Sequence, residues 1–143
     1  MSRPLVVPAL VASLLLVTGC GEQNLDHAAS ASTCVQDAHP VSSYPSGFPA
    51  RFPFPAKTVV YHAEDRGADG VVVTGVTSLP FKQVLAALNG PAQKAGYKVT
   101  SGETEEHDAE ANWQGNGFRG RWAIRESADC SGQTVVQVLS TKA

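Results

Sequence analysis

The order of apolar and polar positions changes period along this chain, and each change marks an element. Residues 57–63 and 70–77 are rich in Val, Thr and Tyr and flank the polar run Glu64-Asp65-Arg66-Gly67-Ala68-Asp69. Short β-branched runs around a Gly-containing polar segment predict two strands and a turn. Apolar residues then recur at Phe81, Val84, Leu85, Leu88, Ala92 and Ala95, the spacing of one helical face, with Ser78 as the expected cap and Pro80 close behind it. Gly90-Pro91 interrupts that face, since proline lacks an amide hydrogen and its ring collides with the preceding turn. The helix is therefore expected to break after Asn89, resume briefly and stop at Gly96, with a strand beginning at Tyr97.

Between Asp108 and Glu126 one turn signal dominates, Asn116-Gly117, which favours a two-residue hairpin. That turn sets the register: Gly115 opposes Phe118, Trp113 opposes Gly120, Ala111 opposes Trp122 and Ala109 opposes Ile124. Every apolar residue then falls on one face, with each Trp over a small residue, while the other face pairs Gln114 with Arg119, Asn112 with Arg121 and Asp108 with Arg125. A last strand over 133–140 carries Val135, Val136, Val138 and Leu139 at both parities, as expected of a position covered on both faces. The whole reads as an α+β fold, an antiparallel sheet of five or six strands with one kinked helix packed on one face. The expected order is strand, strand, helix, then four strands.

Ahead of these elements, prolines at 40, 45, 49, 53 and 55 interleave with Tyr44, Phe48, Phe52 and Phe54. Helix and central strand are both excluded there, leaving an extended arm over 34–56. Its rings are expected to lie over one edge or face of the domain formed by 57–143. The sharper alternative is a proline and aromatic surface for a partner.

The N-terminus has a different character. Arg3 precedes an apolar run of about 13 residues, 5–17, which is shorter than the ~20 residues a spanning helix needs and has the outline of a signal peptide. The run closes on Val17-Thr18-Gly19-Cys20, which resembles the lipobox of bacterial lipoproteins. That resemblance implies a signal peptide over 1–19, cut before Cys20, with a diacylglycerol and a further acyl chain such as palmitate on that cysteine. It implies a cell-membrane address, lipid-anchored on the extracytoplasmic side. Residues 21–33 hold Ala, Ser, Gln, Asn and His with one leucine and cannot bury much, so 20–33 reads as a lipidated tether with a reach of about 20 Å. Further along, Phe54-Pro55-Ala56-Lys57-Thr58-Val59, a helix ending in Ala95-Gly96-Tyr97, and the run from Trp113 to Trp122 resemble small secreted lipoproteins of actinobacteria. This second resemblance covers roughly residues 48–140 and lends no activity.

With Cys20 assigned to lipid, two cysteines remain, Cys34 and Cys130, in a compartment that permits disulfides. They are expected to pair; two free thiols, or one paired with another protein, are the alternatives. Of 143 residues, 124 follow the cut, and losing Arg3 moves the formal charge from −2 to −3. Nothing there recruits nucleic acid, and about 110 residues beyond the tether make one domain of common size.

Candidate chemistry is sparse. Glu103, Glu105, Glu106, His107, Asp108 and Glu110 crowd into one segment, in which Glu103, Glu105 and His107 are weak metal candidates. Strand alternation sends neighbours to opposite faces and no Gly-centred calcium loop is present, so a solvated hairpin tip is the expected use. Arg119, Arg121 and Arg125 share one face and could meet an anionic polymer or lipid headgroups, although polar and acidic cross-strand partners make an ordinary solvated face the plainer expectation. His62 and His107 sit in no nucleophile, metalloprotease or cysteine-nucleophile motif, and no phosphate loop is present. The leading expectation is a non-catalytic envelope module, without cofactor, that binds an envelope protein or wall polymer. A small carrier with Phe81, Leu85, Trp113 and Trp122 around an apolar cleft is the rival, and a hydrolase the third reading.

Overall fold

A computed structural model describes residues 33–143. The expected signal peptide, Cys20 and the expected tether up to residue 32 lie outside the described residues. The strands are β1 (Val59–Asp65), β2 (Val71–Thr77), β3 (Lys98–Thr104), β4 (Asp108–Gly115), β5 (Phe118–Glu126) and β6 (Thr134–Lys142), with helices α1 (Phe81–Asn89) and α2 (Pro91–Lys94) between β2 and β3. They form one antiparallel six-stranded sheet in the order β1-β2-β6-β5-β4-β3. The α+β class is as expected. The element order differs in detail, because a 3-10 turn, Gly67–Asp69, stands between β1 and β2 and the helix is two elements joined at Gly90. Among the described residues no helix is long and apolar enough to cross a membrane.

The β4–β5 register is the one that Asn116-Gly117 dictates, with Trp113 opposite Gly120, Ala111 opposite Trp122 and Asp108 opposite Arg125. Asn116 and Gly117 adopt φ of 53° and 79°, the two left-handed positions of a type I′ turn. Asn116 also donates from Nδ2 to the carbonyl of Ala95 at 3.1 Å, so the hairpin turn satisfies a carbonyl at the end of α2. Gly96, at φ 93°, ends the helix there, as its left-handed geometry requires. Ala95 is exposed just past α2 rather than on the apolar face.

The helix begins differently from expectation. Ser78 is exposed and Pro80 occupies the cap position without a side-chain hydrogen bond. Two buried threonines paired across β2 and β6, Thr77 and Thr134, do the positioning. Thr77 Oγ1 donates to the Ala56 carbonyl at 2.9 Å and accepts from the Leu79 amide, while Thr134 Oγ1 donates to the Leu79 carbonyl at 2.8 Å. A buried hydroxyl needs a partner, and here the partners are the two turns that deliver the arm and the helix to the sheet.

One sheet face and the helix share a single core: Val71 and Val73 of β2, Val136 and Val138 of β6, and both tryptophans pack with Phe81, Val84 and Leu88. The proline arm completes it. Phe48 and Phe52 are buried, and Phe52 is the hub, its ring centroid 5.2 Å from Tyr97, 5.3 Å from Trp113 and 5.0 Å from Phe54. Tilted and edge-to-face geometries of this kind add to plain burial. The arm's rings thus lie over the helix-side face, and Val41 bonds by its amide to the Val60 carbonyl at the outer edge of β1. Cys34 and Cys130 lie within disulfide-bonding distance, Cα–Cα 5.6 Å, and pin the start of the arm beside the loop that leads into β6.

Two outcomes follow for stability. A Cβ at Gly120 would meet the Leu139 carbonyl oxygen and stand 2.9 Å from Cζ2 of Trp113. Gly120→Ala should therefore lower the unfolding free energy in urea by about 2–3 kcal/mol, the scale of core overpacking. A bridge spanning 96 residues constrains the unfolded chain strongly, so Cys34→Ser with Cys130→Ser should lose about 2–5 kcal/mol, read as a fall in the urea midpoint.

Candidate functional site

The sheet's other face is divided. Over β2 and β6 it is buried, with Val72, Val76 and Leu139 beside Thr74 and Gln137, whose side chains bond each other at 3.4 Å. Over β3, β4 and β5 it is polar and open. The strand register builds it in rows: Gln114, Arg119 and Thr141 form one, and Asn112, Arg121 and Leu139 the next. These rows floor a cleft of about 630 Å³, walled at one side by Ala68 and Asp69 of the 3-10 turn and at the other by Thr100 of β3. A second hollow of about 250 Å³ continues from it past Asn112 and Arg121 to Ser101, Glu103 and Glu110.

Within the trough, Asn112 donates from Nδ2 to Ser101 Oγ at 3.0 Å, and Thr100 Oγ1 donates to the Asn112 carbonyl at 3.3 Å. Arg121 pairs with Glu110 through Nη2 and Oε1. The three arginines named from the sequence therefore part company. Arg121 is tied to a carboxylate in the cleft floor, and Arg125 stands opposite Asp108 and lines neither hollow. Arg119 is exposed at the cleft, with Thr141 Oγ1 bonding its carbonyl at 3.4 Å.

The acidic segment spreads out. Glu103 faces Glu110 across β3 and β4, Glu105 lies in the turn before β4, and His107 bonds Glu126 from Nδ1 at 2.9 Å with Glu106 3.7 Å from Nε2. Among the described residues no three His, Cys, Asp or Glu side chains gather as metal ligands. His62 stands 3.9 Å from Glu64, whose carboxyl is held below the ordinary range chiefly by its hydrogen bond from Arg66 at 3.0 Å. The carboxylates beside both histidines are exposed.

A second groove, about 580 Å³, opens between the arm and the start of β1, where Val41, Tyr44, Phe54 and Pro55 face Val59 and Val60. Sequence reasoning did not find it, since only the folded path of the arm sets those rings against the strand. The place expected of an apolar cleft is occupied instead by the core: Phe81, Trp113 and Trp122 are buried and Leu85 is packed against them.

No family model, curated protein or solved structure matches the chain.

Burial raises the phenols of Tyr44, at the arm groove, and Tyr61, on β1, above their ordinary 10; for Tyr61 a hydrogen bond with Thr33 opposes the rise without cancelling it. The folded state then keeps protons that the unfolded chain releases near 10, so this contribution is whole below pH 10 and is lost as pH rises through the raised values. An alkaline titration of phenolate absorbance should show two phenols ionising late, and urea midpoints should fall over the same interval.

Proposed function

We propose that the chain is a lipid-anchored, extracytoplasmic, non-catalytic module that holds an envelope partner, a protein or a wall polymer, on the open face of its sheet. The observation that carries the binding reading is the polar trough across β3 to β6, where side chains able to donate and accept hydrogen bonds line a concave surface on rigid strands. The address rests on Val17-Thr18-Gly19-Cys20 and on the cysteine count. With Cys34 and Cys130 placed together, Cys20 is the one cysteine left for lipid.

A second reading keeps the carrier idea and moves its site. The groove between the arm and β1 is lined by Val41, Tyr44, Phe54 and Val60 and has room for a small apolar ligand. Lipid recovered by mass spectrometry from the protein purified out of membranes, and lost on Tyr44→Asp, would favour this reading over the polar face.

The leading reading makes two linked predictions. In cells the full chain should fractionate with membranes and incorporate labelled fatty acid, while Cys20→Ala should do neither; a wild-type chain released free of lipid would end the anchoring claim. The purified protein should retain envelope protein or wall polymer at micromolar concentration, and retention of neither would end the binding claim.

A further inference from the structure

We infer that the trough takes a neutral polyhydroxylated chain, a glycan, and not a polyanion or an anionic lipid headgroup; this rests on the reading of the open face as the binding surface. Charge decides against the anion that three arginines on one strand first suggest. Asp69, Glu103 and Glu110 line the two hollows against Arg119 and Arg121, so carboxylates outnumber guanidiniums there. Arg121 already pairs with Glu110, and Arg125 stands at neither hollow. A polyanion gains affinity by meeting several cations and releasing its counterions. This surface offers it a single exposed guanidinium without a carboxylate partner among the described residues, that of Arg119, against the carboxylates of Asp69 and Glu103, which take no part in the Arg121–Glu110 pair.

What the trough does supply suits hydroxyl groups. The amides of Asn112 and Gln114 and the hydroxyl of Ser101 can donate and accept, as a sugar hydroxyl does, while Thr100 and Thr141, whose hydroxyl hydrogens go to backbone carbonyls, add acceptors. The Arg121–Glu110 pair holds a fixed donor beside a fixed acceptor. Successive same-face rows on a strand lie about 6.8 Å apart, so the rows at Gln114, Asn112 and Glu110 repeat over about 13 Å, which favours a linear chain over one isolated sugar. A neutral chain has no charge for the site to pair with and binds through short-range hydrogen bonds, so its affinity should be nearly independent of salt.

The test is affinity electrophoresis and calorimetry of the full chain, purified in detergent, against dextran, mannan, xylan and a soluble β-glucan. Polyphosphate, heparin and vesicles containing phosphatidylglycerol form the anionic arms. At least one neutral polysaccharide should bind, unchanged between about 0.05 and 0.5 M NaCl, and Asn112→Ala with Gln114→Ala should weaken it about tenfold or more. Both positions are exposed, and circular dichroism with the urea midpoint checks that the variant folds. Binding to an anionic arm that falls steeply with salt and is lost in Arg119→Ala overturns the inference while leaving the face as the binding surface. Glycan binding that survives the double substitution overturns both. Failure of every polysaccharide while a protein partner is captured through Asn112 and Gln114 overturns the glycan alone.

Discussion

Insertion of β6 between β2 and β5 is the pairing on which the rest of this structure depends. Without it, β1 and β2 would be a lone hairpin and β3, β4 and β5 a separate ribbon, each ending in an unpaired edge, and a two-stranded hairpin is marginal in water. With it, Val73, Val138, Trp122 and Ala111 form one continuous cross-strand row under the helix. Residues 134–140 are buried on both faces, as is all of β2 beside them, a condition that an edge strand does not meet. The Cys34–Cys130 pair lies just ahead of this strand, so the arm is fastened where β6 begins. Gln133 reinforces the join, its side-chain carbonyl accepting from the Val35 amide at 2.8 Å.

From that central strand the two faces diverge for steric reasons. On the helix side, large rings need small neighbours, and Gly120 and Ala111 give Trp113 and Trp122 theirs. The helix is short, nine residues and then four, and cannot cover a six-stranded face alone. The proline arm is therefore a structural part of the core, and its rings close what the helix leaves open. Proline suits the task, because each one removes an amide hydrogen that would otherwise need a partner where the segment lies against the sheet.

Much of this could be read from the residues, and the limits of that reading are physical. The β4–β5 register followed from Asn116-Gly117 because a primed turn admits one alignment and alternation checks it against burial. The two-sided burial of the last strand followed from apolar residues at both parities. Its neighbours did not, since nothing in Val135 to Leu139 distinguishes β2 from any other flanking strand. Ser78 looked like a cap because capping is judged locally, whereas Thr77 and Thr134 act through a cross-strand contact 57 positions apart. The site was legible in the same uneven way. Gln114 with Arg119 and Asn112 with Arg121 could be paired from sequence, but the wall from Asp69 comes from a turn, and Thr100 and Thr141 from strands, whose places beside them the sequence does not reveal.

The same limit bears on the arginines when they are counted along the chain. At positions 119, 121 and 125 they form a basic stripe on one strand, and a stripe suggests an anion. Across the sheet each takes a different environment: Glu110 reaches Arg121 in the cleft floor, Asp108 faces Arg125 away from the cleft, and Arg119 lines the cleft between Gln114 and Thr141. An exposed ion pair contributes little to stability, so the value of Arg121 and Glu110 lies elsewhere. Each holds the other's long side chain in place, so the pair presents a fixed donor beside a fixed acceptor on the floor of the trough. Groups held in this way act through hydrogen-bond geometry at contact, whereas the longer-range field of the face comes from Asp69 and Glu103 beside Arg119.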